Sequence, residues 1–466
     1  MDQGGVPTTR NSLRIPDPRI SVGNVVTRMV TIRPPGSKSL TNRAVLLAAL
    51  AQGDSILHGP LLSAQDATVM RAAIEALGAR TRVEGDALHI TGVNGRWNID
   101  SPTTIHLGNA GTAVRFLAAA AWLSPHPITI DGTPRMRERP IGELGELLSQ
   151  LDCFITYPAN QGFPPVTINP PSSGPAGART LAIGPTQSGQ FISALLLAAA
   201  FIPGGLTLTA KSGWTSASYV RMTLALLAKL GASVQASEGL RVLRVQPPAG
   251  RSGLAGFTLE IEPDASGATY AWAAGALVPG LTVHVPGLTL GSTTKADSLQ
   301  GDTDFARILE AMGARVLATE TGISLSAPTT KLQGIDADMS DMPDAAMTLA
   351  VVASQANSPT TVRGVRTLRV KETDRIAALT NELAKVGTRV EWPLDGDTDS
   401  MRVHPGTDPG TPVSFATYDD HRMAMATSLV GLVRPGVTIL DPGCVAKTYP
   451  TYWDDFAKVL GVPSLA

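Results

Sequence analysis

Cysteine is scarce in this sequence, because only Cys153 and Cys444 occur among 466 residues. Two cysteines cannot build a disulfide framework, and these two do not stand at a metal-ligand spacing. The sequence therefore predicts neither a disulfide-stapled domain nor a structural zinc site. A reducing compartment fits this cysteine usage, as do other compartments.

The chain also lacks net charge and long apolar runs. Its formal net charge of -1 at pH 7 argues against nucleic acid or an anionic membrane surface as a general partner. Its very apolar segments, such as residues 191–202, are about 12 residues long, whereas a membrane span needs roughly 20. The first thirty residues contain Asp2 and Asp17 and no signal-like apolar run. We expect a cytoplasmic protein without a membrane span, with residues 1–24 as a poorly structured lead-in to a strand over 25–32.

What the chain has instead is length and internal repetition. A chain of 466 residues is too long for one hydrophobic core, which predicts two domains of about 200 residues each. One recurring unit is a helix rich in Ala, Leu and Met that begins with small or polar residues. A helix that is apolar nearly all round has no face for solvent, so it is expected to be buried. Six such helices are predicted, over residues 37–51, 110–123, 188–202, 265–278, 343–356 and 419–433.

A second recurring unit is an amphipathic helix that stops at a glycine, the usual residue just past a helix end. Helices of this kind are predicted over residues 69–77, 222–230, 305–312, 374–386 and 452–460, and a sixth over 141–151 has Asp152 at the glycine position. The two kinds alternate with a period of about 75–80 residues. Chance recurrence is the alternative, but both series keep the same order and spacing.

The repeats predict an α/β fold of two domains with three α/β units each. If the three buried helices of a domain run parallel, their N-termini open on one face. Six positive dipole ends then converge on the cleft between the domains, which favours anion binding there.

Polar and charged residues gather at the starts of these helices. The blocks are PGSKSLTNR at residues 35–43, LGNAGTAVR at 107–115, PRMRERPIG at 134–142, QSGQF at 187–191, PDAAMT at 343–348, RVKETDR at 369–375, DDHRMAM at 419–425 and AKT at 446–448. Taken singly, each also fits a plain helix cap or a solvated charged face, and the first is neither a P-loop nor a dinucleotide fingerprint. Their joint placement at repeat edges facing one cleft favours an anion-binding site.

In this order, the blocks resemble those of the enolpyruvyl transferase family, from about Thr31 to the C-terminus. The resemblance implies a two-domain, inside-out α/β barrel, with one domain at residues 1–33 plus 258–466 and the other at 34–257. It implies transfer of the enolpyruvyl group of phosphoenolpyruvate to the 5-hydroxyl of shikimate 3-phosphate, with release of phosphate from a tetrahedral intermediate. We expect a monomer without a cofactor. We also expect no metal, because the arginines and lysines already neutralise the charge that a metal would.

The resemblance also assigns residues to the two substrates. It implies that shikimate 3-phosphate is bound by Lys38, Ser39, Arg43, Ser188, Gln190, Ser216, Asp344 and Lys371. It implies that phosphoenolpyruvate is bound by Lys38, Gly111, Arg139, Gln190, Arg375, Arg422 and Lys447. Guanidinium groups pair bidentately with phosphates and carboxylates, which suits two such anions. Asp344 is the candidate base and Glu372 the candidate acid, with Lys38 assisting proton transfer and His421 completing the catalytic set.

Three positions depart from the commoner pattern of the family. Gly189 stands where a second serine often follows Ser188, Thr367 stands where an asparagine often contacts the shikimate, and Phe116 replaces a proline. Glycine rather than alanine at Gly111 resembles the members that glyphosate inhibits, and it predicts a sensitive enzyme.

Two alternatives are a sister enzyme that transfers enolpyruvate to UDP-N-acetylglucosamine and a non-catalytic paralogue that keeps the anion pocket. The sister enzyme has asparagine where Ser39 stands and a cysteine in a mobile loop, whereas Cys153 ends a predicted helix here. A binding paralogue has no reason to keep Lys38, Asp344 and Glu372 together.

Overall fold

The computed structural model describes residues 11–18, 27–175, 177–291 and 298–465. Within these ranges it contains twelve α-helices and 23 strands, and the strands form six sheets. None of the described helices combines the length and apolarity needed to cross a bilayer.

The helices are of two alternating kinds. In chain order they are α1 (Lys38–Leu50), α2 (Gln65–Ala76), α3 (Gly111–Ala120), α4 (Gly142–Ser149), α5 (Gly189–Ala199), α6 (Ala217–Lys229), α7 (Ala265–Leu277), α8 (Phe305–Ala311), α9 (Ala346–Ser354), α10 (Arg375–Ala384), α11 (His421–Ser428) and α12 (Tyr452–Leu460). Nearly every side chain of the odd-numbered helices is buried, so the six predicted buried helices are confirmed. They are shorter than predicted, because 3₁₀ turns occupy Ala121–Leu123, Pro343–Ala345 and Leu429–Leu432. The first turns of α2 and α6 were missed, since they lack apolar periodicity.

The predicted glycine stops have the expected backbone conformation. The φ angles are +100° at Gly78, +91° at Gly231, +107° at Gly313, +78° at Gly387 and +74° at Gly461. Asp152, which takes the glycine position after α4, also has a positive φ, of 66°. Short polar residues such as Asp tolerate this region better than other side chains do.

The strands are short and complete the six units. In chain order they are β1 (Ser12–Arg14), β2 (Arg28–Thr31), β3 (Asp54–His58), β4 (Arg80–Glu84), β5 (Ala87–Thr91), β6 (Thr103–His106), β7 (Ile128–Asp131), β8 (Phe154–Thr156), β9 (Val166–Asn169), β10 (Arg179–Ile183), β11 (Leu206–Ala210), β12 (Ser233–Ala236), β13 (Val242–Gln246), β14 (Thr258–Glu260), β15 (Leu281–Pro286), β16 (Arg315–Thr319), β17 (Gly322–Ser326), β18 (Asp336–Asp338), β19 (Thr360–Arg363), β20 (Arg389–Glu391), β21 (Ser400–His404), β22 (Val413–Phe415) and β23 (Val437–Leu440).

Three units are built from consecutive elements. In one of them β6 and β7 are parallel and joined by the buried helix α3, and α4 then leads to β8 and β9, in the sheet order β6-β7-β9-β8. The units of α5 and α9 have the same order. Each helix covers one face of its sheet and leaves the other partly exposed, so the helices lie inside and the sheets outside.

Two units borrow their first strand from the other half of the chain. Strand β14 pairs in parallel with β3, in the unit of α1, and β2 pairs in parallel with β15, in the unit of α7. The two segments that cross between the halves are bonded to each other, with Ser37 N–H donating to Glu262 O and Asp264 N–H to Pro35 O, both at 2.8 Å. Gly36 is required at this crossing, because a Cβ there would lie 2.0 Å from the carbonyl oxygen of Gly59.

The sixth unit is completed by the N-terminus, which corrects the expected unstructured lead-in. Strand β1 runs antiparallel to β23, and Leu13 is paired with Ile439. Leu13 and Ile15 are buried, so this segment is part of the core. A three-residue strand followed closely by prolines gives too weak a pattern to predict. The rest of the lead-in, residues 1–10 and 19–24, and the first two residues of the strand predicted over 25–32 lie outside the described residues.

The buried apolar side chains form two separate cores. The first core extends from Leu40 through Ile261 and encloses α1, α3 and α5. The second core takes Leu13, Ile15 and Ile32, followed by residues 265–465, and encloses α7, α9 and α11. Burying one Leu or Phe side chain contributes about 1.5–3 kcal/mol, so replacing such a side chain by a charged one that has no partner would break the packing.

Candidate active site

The two cores meet around a cavity that opens to solvent and contains about 670 Å³ of empty space, the opening included. Its walls are rich in charged and hydroxyl side chains from both halves of the chain. The lining residues are Lys38, Ser39, Arg43, Asp66, Gly111, Thr112, Phe116, Arg139, Ser188, Gly189, Gln190, Ser216, Tyr219, Asp344, Lys371, Glu372, Arg375 and Arg422. The structure therefore brings together all but two of the sequence-predicted site residues on one surface.

Buried helices point their N-termini at this cavity. Helices α1, α3, α5 and α11 have their first turns on its wall. Ser188 caps α5 by accepting from Gln190 N–H at 3.2 Å, and Asp420 caps α11 by accepting from Arg422 N–H at 2.9 Å. Each N-terminus carries roughly half a positive charge, so their convergence attracts anions before any side chain is counted.

Lys38 lies in the first turn of α1 and links the two halves. Its Nζ is 3.6 Å from Asp66 Oδ2, and its backbone N–H donates to Asp264 Oδ2 at 2.9 Å. Asp66 was not predicted, because the helix that carries it was expected to begin at residue 69. An acid in the first turn of that helix was the signal that could have identified it.

Arg43 is almost wholly buried and is held rigidly by the first core. It donates to Thr223 Oγ1 (2.8 Å), Ser39 O (2.8 Å), Ser193 Oγ (3.2 Å) and Tyr219 O (3.2 Å). Burial lowers the pKa of Arg43 to about 10, partly offset by Tyr219. The Phe116 ring lies 5.2 Å from the Arg43 guanidinium, which is a cation–π contact. Four of the five N–H donors of this guanidinium have partners in the described chain, which leaves one for a ligand.

Gly111 and Arg139 touch each other at the start of α3. A Cβ on Gly111 would lie 2.6 Å from Arg139 Nη2. Arg139 is buried, and its Nη1 donates to the backbone oxygen (3.2 Å) and to Oδ1 (3.0 Å) of Asn109. Glycine at position 111 therefore makes room for the guanidinium itself.

Hydroxyl and amide groups complete the wall of the first core. Gln190 Nε2 donates to Thr112 Oγ1 at 3.2 Å. Ser216 precedes α6 with a positive φ of 52°. The Tyr219 hydroxyl is buried and has no hydrogen-bond partner in the described part of the chain. No role was predicted for Tyr219 from the sequence, although it lies three residues after the predicted ligand Ser216.

The second core supplies a network of ion pairs. Asp344 is within 3.3 Å of Lys371 Nζ, 3.2 Å of Arg375 Nη1 and 2.9 Å of Arg422 Nη2. Glu372 is 2.9 Å from Arg375 Nη2 and 3.1 Å from Lys447 Nζ. The cations predicted to bind the substrates are thus paired with the predicted base and acid.

This pairing sets the protonation states of the two carboxyl groups. Burial alone would raise the pKa of Asp344, but Arg422, Lys371 and Arg375 outweigh it and hold the pKa well below its usual range. For Glu372 burial also raises the pKa, but Lys447, Arg375 and Arg139 hold it well below the usual value. Both groups are therefore ionised in this arrangement.

Two predicted residues lie behind the lining. Lys447 reaches the site through Glu372, and its Nζ also donates to Asn109 O at 3.1 Å across the cavity. His421 is fully buried beside Asp420 (Nδ1–Oδ1 3.6 Å), and neither ring nitrogen has a hydrogen-bond partner in the described residues. Burial, followed by the charge of Arg422, lowers the pKa of His421 well below its usual value. Its imidazole is therefore neutral here.

Gly189 and Thr367 are the other two departures from the family pattern, and the structure shows what surrounds them. A Cβ on Gly189 would lie 2.3 Å from the carbonyl oxygen of Thr215, so a serine does not fit there without a backbone shift. Thr367 is buried, and its Oγ1 has no partner in the described chain. In the described residues, His, Cys, Asp and Glu side chains form no group of three or more placed to hold a metal ion.

The chain is similar to one enzyme family over most of its length. Residues 26–456 match the family described as EPSP synthase (3-phosphoshikimate 1-carboxyvinyltransferase). Proteins named 3-phosphoshikimate 1-carboxyvinyltransferase from Shewanella denitrificans and Yersinia pseudotuberculosis are 42% and 41% identical over 431 residues, which is 92% of this chain and 96% of theirs. The solved EPSP synthase of Acinetobacter baumannii shares the fold, with a TM-score of 0.74, 22% identity and 98% coverage of both chains.

Proposed function

The chain belongs to the EPSP synthase family, and from this premise we propose how its cavity divides the work between two substrates. It is an enzyme that transfers the enolpyruvyl group of phosphoenolpyruvate to shikimate 3-phosphate in the shikimate pathway. The observation that carries the assignment of residues is that Asp344 and Glu372 lie in one cavity, share Arg375 and are each paired with further cations. That arrangement offers a base and an acid within a site built for two anions.

In this proposal shikimate 3-phosphate occupies the side of the cavity formed by α1, α5 and α6. Its ligands are Lys38, Ser39, Arg43, Ser188, Gln190, Ser216, Asp344 and Lys371. The remaining N–H donor of Arg43 and the unpaired Tyr219 hydroxyl add two polar groups on this side. A buried polar group without a hydrogen-bond partner is energetically costly. A substrate that bonds to the Tyr219 hydroxyl therefore gains more binding free energy than it would from a contact with an exposed hydroxyl.

Phosphoenolpyruvate is proposed to lie where α3 meets the second core. Its ligands are Lys38, Gly111, Arg139, Gln190, Arg375, Arg422 and Lys447. The guanidinium of Arg139 borders Gly111, and Arg375 and Arg422 converge on Asp344. Charge-assisted hydrogen bonds of this kind are worth about 1.5–3 kcal/mol each, which gives a near-neutral protein a strong local anion site.

The ion pairs explain how the same carboxylates act in proton transfer. Asp344 takes the proton of the 5-hydroxyl as its oxygen attacks C2 of phosphoenolpyruvate, and Glu372 gives a proton to C3. Glu372 then takes a proton back from C3 as the C–O bond to phosphate breaks. Lys38 neutralises the leaving phosphate, which carries away the proton that Asp344 took from the hydroxyl. Substrate anions compete for Arg375, Arg422 and Lys447, so their binding raises the pKa of both carboxyl groups.

His421 is proposed as a neutral member of the catalytic residues, because its buried ring adjoins Asp420.

We also propose two domains, residues 1–33 plus 258–466 and residues 34–257, with the second boundary moved a few residues towards the C-terminus. Leu259 and Ile261 belong to the first core, which favours a boundary just after Ile261. We also propose that the protein is a monomer, because one chain supplies every proposed site residue. We further propose that it is cytoplasmic and uses no cofactor.

Phosphate release from phosphoenolpyruvate tests the acceptor. Release is expected with shikimate 3-phosphate and not with UDP-N-acetylglucosamine, and the reverse result would reject the substrate assignment.

Substitution of the two carboxylates tests their roles in proton transfer. Glu372→Gln and Asp344→Asn are each expected to lower kcat by about 10²–10⁴-fold. The matched control is Glu310→Gln, an exposed acid on α8. A Glu372→Gln variant with more than roughly a tenth of wild-type kcat would remove the acid role.

A further inference from the structure

Arg135 belongs to the PRMRERPIG block, but the substrate assignments above give it no role. It comes from the first core and reaches backbone of the second. Its Nε donates to the carbonyl oxygen of Glu372 and its Nη2 to that of Lys371, both at 3.0 Å. Its Nη1 pairs with Glu138 at 2.7 Å. One guanidinium of the first core thus bonds to two consecutive peptide groups of the second core.

The two carbonyl groups lie where the backbone has little other support. A 3₁₀ turn at Arg366–Val370 ends at Lys371, which is extended (φ -87°, ψ -154°), and α10 begins only at Arg375. In the described chain the carbonyl oxygens of Lys371 and Glu372 accept a hydrogen bond from no donor other than Arg135. The orientation of these two peptides therefore depends on the guanidinium.

The side chains that follow from those peptides are the ones that face the substrates. Lys371 Nζ is 3.3 Å from Asp344, and Glu372 lies between Arg375 and Lys447. A rotation of either peptide moves a proposed ligand of shikimate 3-phosphate or the proposed acid out of place. Displacements of about 1 Å in a positioned catalytic group cost up to about 100-fold in rate.

We propose that Arg135 is a positioning residue for Lys371 and Glu372. Its bonds to the two carbonyls join the first core to the second, so they would break if the cores moved apart. The proposal therefore includes a coupling between closure of the cores on shikimate 3-phosphate and placement of the acid. It does not line the cavity and contacts no proposed substrate atom. The inference rests on the proposed roles of Lys371 and Glu372.

Two neighbouring arginines provide matched controls. Arg137, two residues along, bonds within its own core to Asp131, with its Nε at 2.9 Å and its Nη2 at 2.5 Å. Arg221 forms an exposed pair across the cores with Asp341 at 3.0 Å, away from the two carbonyls. Arg137→Ala therefore controls for loss of a positive charge in the same turn. Arg221→Ala controls for loss of a cross-core tether.

Steady-state kinetics and small-angle scattering test the proposal on the full chain. Arg135→Ala is expected to lower kcat roughly 10- to 100-fold, because Lys371 and Glu372 are displaced by up to about 1 Å. The kcat values of Arg137→Ala and Arg221→Ala are expected to stay within about twofold of wild type, as for exposed ion pairs. With saturating shikimate 3-phosphate, the radius of gyration is expected to fall for wild type and both controls but not for Arg135→Ala.

Several results would overturn the inference. The first is a kcat for Arg135→Ala within about twofold of the kcat of the controls. The second is a loss of kcat in Arg221→Ala as large as that in Arg135→Ala. The third is a fall in the radius of gyration of Arg135→Ala, on binding shikimate 3-phosphate, equal to that of wild type. If Arg135→Ala does not fold, Arg135→Lys replaces it, since one ammonium cannot span both carbonyls, and an intermediate loss is then expected. Turnover by wild type and Arg137→Ala reports on the proposed function separately, so failure of one idea is not mistaken for failure of the other.

Discussion

A single methyl group added at Gly111 tests whether this glycine sets the phosphoenolpyruvate end of the cavity. In Gly111→Ala the new Cβ would lie 2.6 Å from Nη2, 2.9 Å from Cζ and 3.0 Å from Nη1 of Arg139. Carbon and nitrogen atoms pack at about 3.5 Å or more, so the guanidinium must retreat by about 1 Å. Its contacts are with the end of a side chain rather than with backbone, so the fold is expected to survive.

The size of the effect follows from what Arg139 loses. A retreat of about 1 Å takes a charge-assisted hydrogen bond out of its working range. Forced repacking of this kind costs about 1–3 kcal/mol, or roughly 5- to 150-fold in affinity. We therefore expect the KM for phosphoenolpyruvate to rise by this factor and the KM for shikimate 3-phosphate to change little. Glyphosate inhibition is expected to weaken as well, because the inhibitor competes for the same place.

Initial-rate kinetics with each substrate varied in turn measure this split. Gly184→Ala is the matched control, because a Cβ there meets no atom within 4 Å. In an Arg139→Ala background the Gly111→Ala change is expected to cost almost nothing further, since the clashing group is gone. A full additive loss in that double variant, or an unchanged KM for phosphoenolpyruvate in the single one, would refute the reasoning.

Four further changes test charged side chains in and around the site. Lys38→Met is expected to leave less than about a tenth of wild-type kcat with an unchanged thermal midpoint, and unaltered turnover would contradict the role of the ammonium. Arg422→Ala is expected to weaken phosphoenolpyruvate by about 1.5–3 kcal/mol and shikimate 3-phosphate much less, as measured by titration. Arg375→Ala is expected to destabilise the fold itself by about 3–5 kcal/mol in urea unfolding, because it leaves the fully buried Asp420 without its 2.8 Å partner. Burial raises the pKa of Asp302 from 3.8 to about 7, so the folded state holds a proton that the unfolded chain has released, and stability falls as pH rises from about 4 to 7. Asp302→Asn is therefore expected to stabilise the protein by up to about 4 kcal/mol at pH 8 and very little at pH 4, and equal effects at both pH values would exclude this cause.

Local pattern was enough to predict the buried helices and their stops. Residues 265–277 are apolar on every side, which leaves burial as the only stable solution, and Gly313 or Gly461 ends a helix for reasons internal to the backbone. The catalytic blocks could be found from sequence because the residue types and order are specific. None of this required knowledge of which strand pairs with which.

What the sequence did not reveal depends on contacts between distant residues. Nothing in Thr258–Glu260 indicates that it pairs with Asp54–His58, since any short strand of similar pattern would serve. Asp66 was missed because its role comes from its approach to Lys38 in space. The pairing of Asp344 and Glu372 with the cations proposed to bind the substrates could not be predicted either, because it is set by side-chain geometry where the two cores meet.

The exchange of first strands between the two halves has a consequence for synthesis on the ribosome. Strand β2 is made near the start of the chain but finds its partner β15 about 250 residues later, a delay of roughly 12–50 s at about 5–20 residues per second. Strand β1 waits longer still for β23. An unpaired strand edge can pair with another chain and lead to aggregation. Strands β1 and β2 are only three and four residues long, which reduces this risk. Strands β1 and β2 are thus among the last strands to be paired, and in a nascent chain they are expected to stay sensitive to protease until their partner strands have been made.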